Sequence, residues 1–263
     1  MELLLTIDAG NTNTVFGVHE GLELRAHWRL TTRREQTADE YGILVRNLFA
    51  ASGIEPGAVT GVALASVVPP LTPVLVALAR QYLGHEPLVV EPGVRTGMPI
   101  LYDPPGDVGA DRIVNGVAAF AQHGGPVIIV DFGTATTLDV VTRRGEYAGG
   151  VICPGVGISA EALFQRAARL PRVDVRNPGR VIGRSTVASI QAGLYFGYAS
   201  LVEGLIGRIK AELQEPAHVV ATGGLAETLA GEVPSIEHVD PVLTLNGLRL
   251  IFELNRGQRL PVR

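Results

Sequence analysis

The sequence predicts a duplicated α/β protein, and three observations carry that expectation. A short pattern occurs twice: Asp8-Ala9-Gly10-Asn11-Thr12-Asn13-Thr14 ends one apolar run, and Asp131-Phe132-Gly133-Thr134-Ala135-Thr136-Thr137 ends another. At a constant offset of 123, Asp8 falls on Asp131, Gly10 on Gly133, Thr14 on Thr137 and Val18 on Val141. Around each copy, strand-like and helix-like hydrophobic periods follow one another in the same order. Finally, a length of 263 residues exceeds the usual size of one domain and suits two domains of roughly equal size or one large α/β unit, and the repeat favours two. We place the boundary near Asn115, giving domains of residues 1–115 and 116–263.

Residues 2–8, 13–19 and 22–30 read as a three-strand meander, the last two strands joined through Glu20-Gly21. Tyr41, Leu44, Val45, Leu48 and Phe49 recur at helical spacing within residues 38–52. A strand at 61–67, a helix at 73–83 and a short strand at 87–90 follow. A loop rich in proline and glycine runs from Glu91 to Val108, and a helix then extends from about Gly109 to Gln122. The second half repeats the theme with strands at 126–131, 135–141 and 146–152, helices at 157–169 and 185–213, a strand at 217–221 and a helix at 241–254.

In each copy of the repeat a buried strand delivers a carboxylate to its end, and a glycine lets the chain turn tightly. Successive backbone N–H groups and short hydroxyls can donate there to phosphate oxygens, while the Asp holds a cation or water. A single Asp-x-Gly turn is equally what an ordinary hairpin uses. The pairing favours the phosphate site, with two facing copies gripping one nucleotide.

Composition narrows the classes. The hydrophobic fraction is 46%, and no stretch reaches the ~18 uninterrupted apolar residues of a membrane helix. The start, Met-Glu-Leu-Leu-Leu-Thr-Ile-Asp, has an acid where a secretory signal needs basic residues, so a cytoplasmic location is expected. A net charge of −4 without a basic cluster argues against nucleic acid. Arg33-Arg34 and Arg143-Arg144 read as solvated turn charges. Cys153 is the only cysteine, which excludes an intramolecular disulfide and a cysteine metal cluster and reads as a small apolar filler. Lys210 is the only lysine and lies within a helical stretch, which excludes both the P-loop and the protein-kinase modes of phosphate binding.

A third constellation is Tyr102-Asp103-Pro104-Pro105-Gly106-Asp107-Val108-Gly109-Ala110-Asp111-Arg112, where helical periodicity begins after Val108. An acid in a first helical turn complements the helix dipole. A cation there is unfavourable unless something anionic is bound, and Arg112 therefore points to a ligand. Asp111 could take a proton from a substrate hydroxyl and Arg112 could hold a carboxylate in a bidentate fork.

These motifs, with Gly149-Gly150-Val151-Ile152-Cys153-Pro154-Gly155, run in order over essentially the whole chain. Together they resemble type III pantothenate kinases, members of the acetate and sugar kinase, Hsp70 and actin superfamily. The resemblance implies two ribonuclease H-like (actin-like ATPase) domains with a nucleotide cleft between them, and ATP-dependent phosphorylation of pantothenate toward coenzyme A. It implies that Asp8, Ala9, Gly10, Asn11, Thr12, Asn13, Thr14 and Val15 hold ATP phosphates, with Mg²⁺ on Asp8 directly or through water. Thr134 and the Gly223-Gly224 loop complete the ATP site; Asp131 holds a monovalent cation, K⁺ or NH₄⁺. Asp111 is the implied proton acceptor, and Tyr102, Gly109, Ala110, Asp111, Arg112 and Thr186 contact pantothenate.

One departure is Pro104, where family members usually carry Asn, so the loop at Tyr102 loses an amide and is stiffened. Two rivals stay open: another small-molecule kinase of the superfamily, and a non-catalytic regulator on the same fold. The stretch from Ser185 to Leu213 carries a long apolar series interleaved with Ala192, Gly193, Gly197, Ala199 and Gly204. It reads either as a core helix of the second domain or as the contact of the homodimer that the resemblance implies.

Overall fold

The structure, a computed structural model, describes residues 2–167 and 169–257. Its contacts divide the chain into two compact units. In the first, β1 (Leu3–Ala9), β2 (Asn13–Glu20) and β3 (Glu23–Thr31) form an antiparallel meander, and β4 (Val59–Ser66) and β5 (Leu88–Val89) extend it in parallel. The sheet order is β3-β2-β1-β4-β5. Inward residues of the central strands, among them Leu5, Ile7, Phe16 and Leu64, form one buried cluster with Tyr41 and Phe49 of α1 (Ala38–Ala51) and Leu75 and Leu78 of α2 (Thr72–Leu83). A capping box starts α1: the Thr37 hydroxyl accepts from the Glu40 N–H while the Thr37 N–H donates to the Glu40 carboxylate at 2.7 Å. Such a cap contributes about 1 kcal/mol.

The second unit contains β6 (Val127–Phe132), β7 (Ala135–Val141), β8 (Tyr147–Pro154), β9 (His218–Thr222) and β10 (His238–Val239), in the order β10-β9-β6-β7-β8. Strand for strand this reproduces the first sheet, so the fold is a duplication. Its core gathers Ile128, Val130 and Phe132 with Leu194, Val202 and Ile206 of α5 (Thr186–Leu213). The helix α3 (Ala110–His123) passes from the first unit to the second, and α4 (Val156–Arg166) and the short α6 (Ala226–Leu229) belong to the second.

Two details differ from the sequence reading. The constant offset of 123 fails inside the repeat. Ala9 pairs with Thr14 across a four-residue turn, whereas Phe132 pairs with Thr136 across a three-residue one. Thr14 therefore corresponds to Thr136, and Val18 to Val140, although Asp8 still corresponds to Asp131 and Gly10 to Gly133. Burial agrees: Thr14 and Thr136 are both fully enclosed. The second difference is the last helix, α7 (Leu243–Asn255), which rejoins the first unit from Thr244 on, so a single cut near Asn115 does not describe the division. The cause is packing. Phe252 and Leu245 press against Gly61 and Gly17 of the first sheet so closely that a Cβ on either glycine would stand within 2.2 and 2.8 Å of them.

Candidate active site

Asp8 stands at the end of β1, flanked by Val15 of β2 and Ala65 of β4. The turn that follows is closed by a bond from the Gly10 N–H to the Asn13 carbonyl at 3.0 Å. Thr32, one residue past β3, braces it: its hydroxyl donates to the Gly10 carbonyl at 2.7 Å, and its N–H donates to the Thr12 carbonyl at 2.9 Å. Asn11 and Thr12 stay exposed at the tip. Arg34 Nη2 donates to Asn11 Oδ1 at 3.1 Å. Arg34 is exposed, as a solvated turn charge should be, yet it is attached to the turn expected to hold phosphate. Neither Thr32 nor Arg34 was legible as a site residue, because only the strand register brings them there.

At the start of α3 the Arg112 N–H is shared between the Gly109 carbonyl at 3.1 Å and Asp111 Oδ1 at 2.8 Å. This bond fixes the orientation of a half-buried carboxylate. Gly109 leaves it room, since a Cβ there would lie 2.6 Å from Asp111 Oδ1. Arg112 is buried, at 8% exposure. One turn on, Asn115 accepts from the Thr244 hydroxyl at 2.7 Å and ties α3 to α7.

The second unit carries the remaining expected residues. Asp131 stands one residue before the end of β6, between Thr137 and Thr222. Gly223 has a φ of +94°, and a Cβ on it would meet Asp131 Oδ1 at 2.3 Å; one on Gly133 would meet the same atom at 3.2 Å. The carboxylate lies in a cradle that only glycine permits. Thr134 is exposed at the turn tip, and its carbonyl is approached so tightly from below that a Cβ on Gly155 would sit 2.1 Å away. Thr186 opens α5 and is exposed, with the neighbouring Ser185 hydroxyl accepting from the Ala188 N–H at 3.2 Å. Tyr102 belongs to a short stretch, residues 100–102, held on β8 by the Leu101 N–H donating to the Tyr147 carbonyl at 2.8 Å.

Residues 4–208 match the family model described as type III pantothenate kinase. The chain belongs to the type III pantothenate kinase family. Relatives named as such are 54% identical over 253 residues in Moorella thermoacetica and 56% identical over 255 residues in Myxococcus xanthus. These alignments cover 96% and 97% of this chain and the whole of each relative. Solved structures extend the likeness of fold. The inorganic polyphosphate/ATP-glucomannokinase of Arthrobacter sp. strain KM aligns with a TM-score of 0.53 at 17% identity, covering 98% of this chain and all of that one. The ethanolamine utilization protein EutJ of Carboxydothermus hydrogenoformans gives 0.57 at 15%, covering 95% and 89%.

Membership of a kinase family implies a divalent metal with ATP. Among the described residues no group of three or more His, Cys, Asp or Glu side chains could hold a metal by itself. A carboxylate outside any such group, as Asp8 is, fits a divalent ion that completes its shell with nucleotide phosphates and water. The glycine cradle of Asp131 brings backbone close to an oxygen donor, which fits a hard monovalent cation. No helix among the described residues is long and apolar enough to cross a membrane.

Proposed function

We propose that this chain transfers the γ-phosphoryl group of ATP to the primary hydroxyl of pantothenate, giving 4'-phosphopantothenate in the first step of coenzyme A biosynthesis. The observation that carries the reading is the 54–56% identity, over the full length of the relatives, to enzymes named for that reaction. The positions of the site residues on their elements are consistent with it.

The turn from Asp8 to Val15 binds phosphate through backbone N–H groups and the short hydroxyls of Thr12 and Thr14, with Thr134, Gly223 and Gly224 completing the ATP site. Tyr102, the Gly109-to-Arg112 helix start and Thr186 receive pantothenate. Asp111 accepts the proton of the attacking hydroxyl, and the Arg112 N–H holds that carboxylate in one orientation. Phosphoryl transfer asks mainly for positioning and charge stabilisation. Mg²⁺ on Asp8 and K⁺ or NH₄⁺ on Asp131 supply positive charge beside the phosphates, which matters in a chain with a single lysine, Lys210. The acting species is a homodimer joined through α5. Supporting this, one face of α5 packs on the core through Leu194, Val202 and Ile206, while Gly193, Gly197, Ser200, Leu201 and Gly204 stay exposed along its length.

An ADP-release assay over pantothenate, acetate, glycerol and hexoses, each with and without K⁺, tests the proposal. Turnover confined to pantothenate and raised by K⁺ is the expected result. Turnover of a hexose or glycerol with none of pantothenate would replace this reading by that of another small-molecule kinase.

A further inference from the structure

The duplication offers an internal comparison, and one pair of residues departs from it. Through the strand registers Gly17 of the first sheet corresponds to Asp139 of the second, and Leu24 to Tyr147. In the first unit Leu24 and Leu245 close over Gly17 beside the Thr6 hydroxyl, which donates to the Gly17 carbonyl at 3.2 Å, and no ionisable side chain stands at either position. The second unit has put a carboxyl group and a phenol there instead, and both are fully buried. Tyr147 Oη donates to Asp139 Oδ1 at 2.6 Å, and the Thr137 hydroxyl donates to Asp139 Oδ2 at 3.0 Å. Burying polar groups without apparent need is costly unless they are bonded to one another, so the network locks the Tyr147 ring in place.

The locked residue carries the 100–102 stretch. Its carbonyl accepts the Leu101 N–H at 2.8 Å, and its backbone forms an isolated parallel bridge with Ile100. The Tyr102 ring stands edge-on to the Tyr147 ring, with centroids 6.4 Å apart and planes at 60°. Gly149, whose φ of +117° calls for glycine, lies beneath the Tyr102 ring, its Cβ position 3.5 Å from the ring. Backbone, ring edge and glycine floor therefore fix Tyr102 from three sides.

We infer that Tyr147, held by Asp139 and Thr137, is a positioning residue that sets Tyr102 for pantothenate. The inference rests on the proposed role of Tyr102 in binding that substrate. Tyr147→Phe keeps the ring and removes only the donor to Asp139. Its KM for pantothenate should rise by about tenfold, the scale of a small misplacement of a binding group, while the KM for ATP stays within about twofold of wild type. Hydrogen exchange at the Leu101 amide should accelerate. Thr137→Val, a near-isosteric change that weakens the same network, should move both readouts in the same direction by less, and it serves if Tyr147→Phe does not fold. A pantothenate KM within about twofold of wild type, or equal losses for both substrates accompanied by a lowered melting temperature, would overturn the inference and leave the kinase reading standing. Wild-type enzyme that turns over no pantothenate would sink both.

Discussion

Arg34 and Asn11 meet across 23 residues of sequence, the guanidinium donating to the side-chain oxygen at 3.1 Å. That contact fixes an exposed asparagine at the tip of the turn after Asp8 and brings a delocalised positive charge to it. Arg is suited to such a place because its planar fork can hold the turn with one N–H and face phosphate with others. Arg34→Ala should raise the KM for ATP by about three- to tenfold with the KM for pantothenate unchanged. Unchanged ATP saturation would return Arg34 to the solvated charges with which the sequence groups it.

Asp111→Asn should lower kcat by ~10²- to 10⁴-fold, the usual contribution of a general base. Asparagine can still accept the Arg112 N–H bond through its side-chain oxygen, so the helix start and ATP binding should survive. Retention of more than about a third of wild-type kcat would refute the base assignment.

Asp131→Ala should remove activation by K⁺ and NH₄⁺. The half-buried Asp131 carboxylate, in its cradle between Gly133 and Gly223, is the oxygen donor proposed for that cation. In the wild type, rates in Na⁺ alone should be a small fraction of those in K⁺. Equal rates in the two salts would contradict the proposed cation site.

Stability should fall in mild acid. Burial first, and the Arg249 guanidinium second, lower the His19 pKa from 6.5 to about 4 against a weaker pull from the Leu245 backbone. His123 is lowered as well, by burial and then by His238 and His218, with Asp240 and Glu237 opposing. A histidine with a depressed folded-state pKa binds its proton more readily when unfolded. Its contribution is therefore complete above the unfolded value of 6.5 and is lost as the pH falls toward 4. For His19 the loss amounts to about 3 kcal/mol. Urea midpoints should drop as the pH falls from 6.5 to about 4, and His19→Leu should flatten the drop. A variant that tracks the wild type through that interval would remove His19 as its cause.

The meander of each unit was legible because β1 and β6 are near-continuous apolar runs that carry an acid near their ends, while β3 alternates, and Asp8, Gly10, Asp131 and Gly133 keep equivalent places in the two copies. The slipped register was not, because a turn shorter by one residue leaves a threonine at either alignment: Thr14 can be set against Thr137 or Thr136. The return of α7 to the first unit was equally hidden, since amphipathicity says that a helix packs without saying on which sheet. Asp139 could have been noticed as an acid inside the apolar series Leu138-Asp139-Val140-Val141. Its partner Tyr147, eight residues on, becomes visible only through the irregular pairing of β7 with β8.

The proposed homodimer has the most specific consequence. On α5 the core-facing residues and the exposed stripe of Gly193, Gly197, Ser200, Leu201 and Gly204 lie on opposite faces, and small residues let a second helix approach closely. Thr186, at the exposed first turn, would then reach pantothenate held by Asp111 of the other copy. In that arrangement each site is completed across the interface, so damage to Asp111 and damage to Thr186 fall on different sites of a mixed dimer. Asp111→Asn and Thr186→Ala enzymes should each be nearly inactive alone. Mixed in equal amounts and allowed to exchange, half of the dimers carry both variants and each of those holds one intact site, so activity should return to about a quarter of wild type. A mixture no more active than its components, or full activity from a monomer in dilute solution, would rule out the shared site.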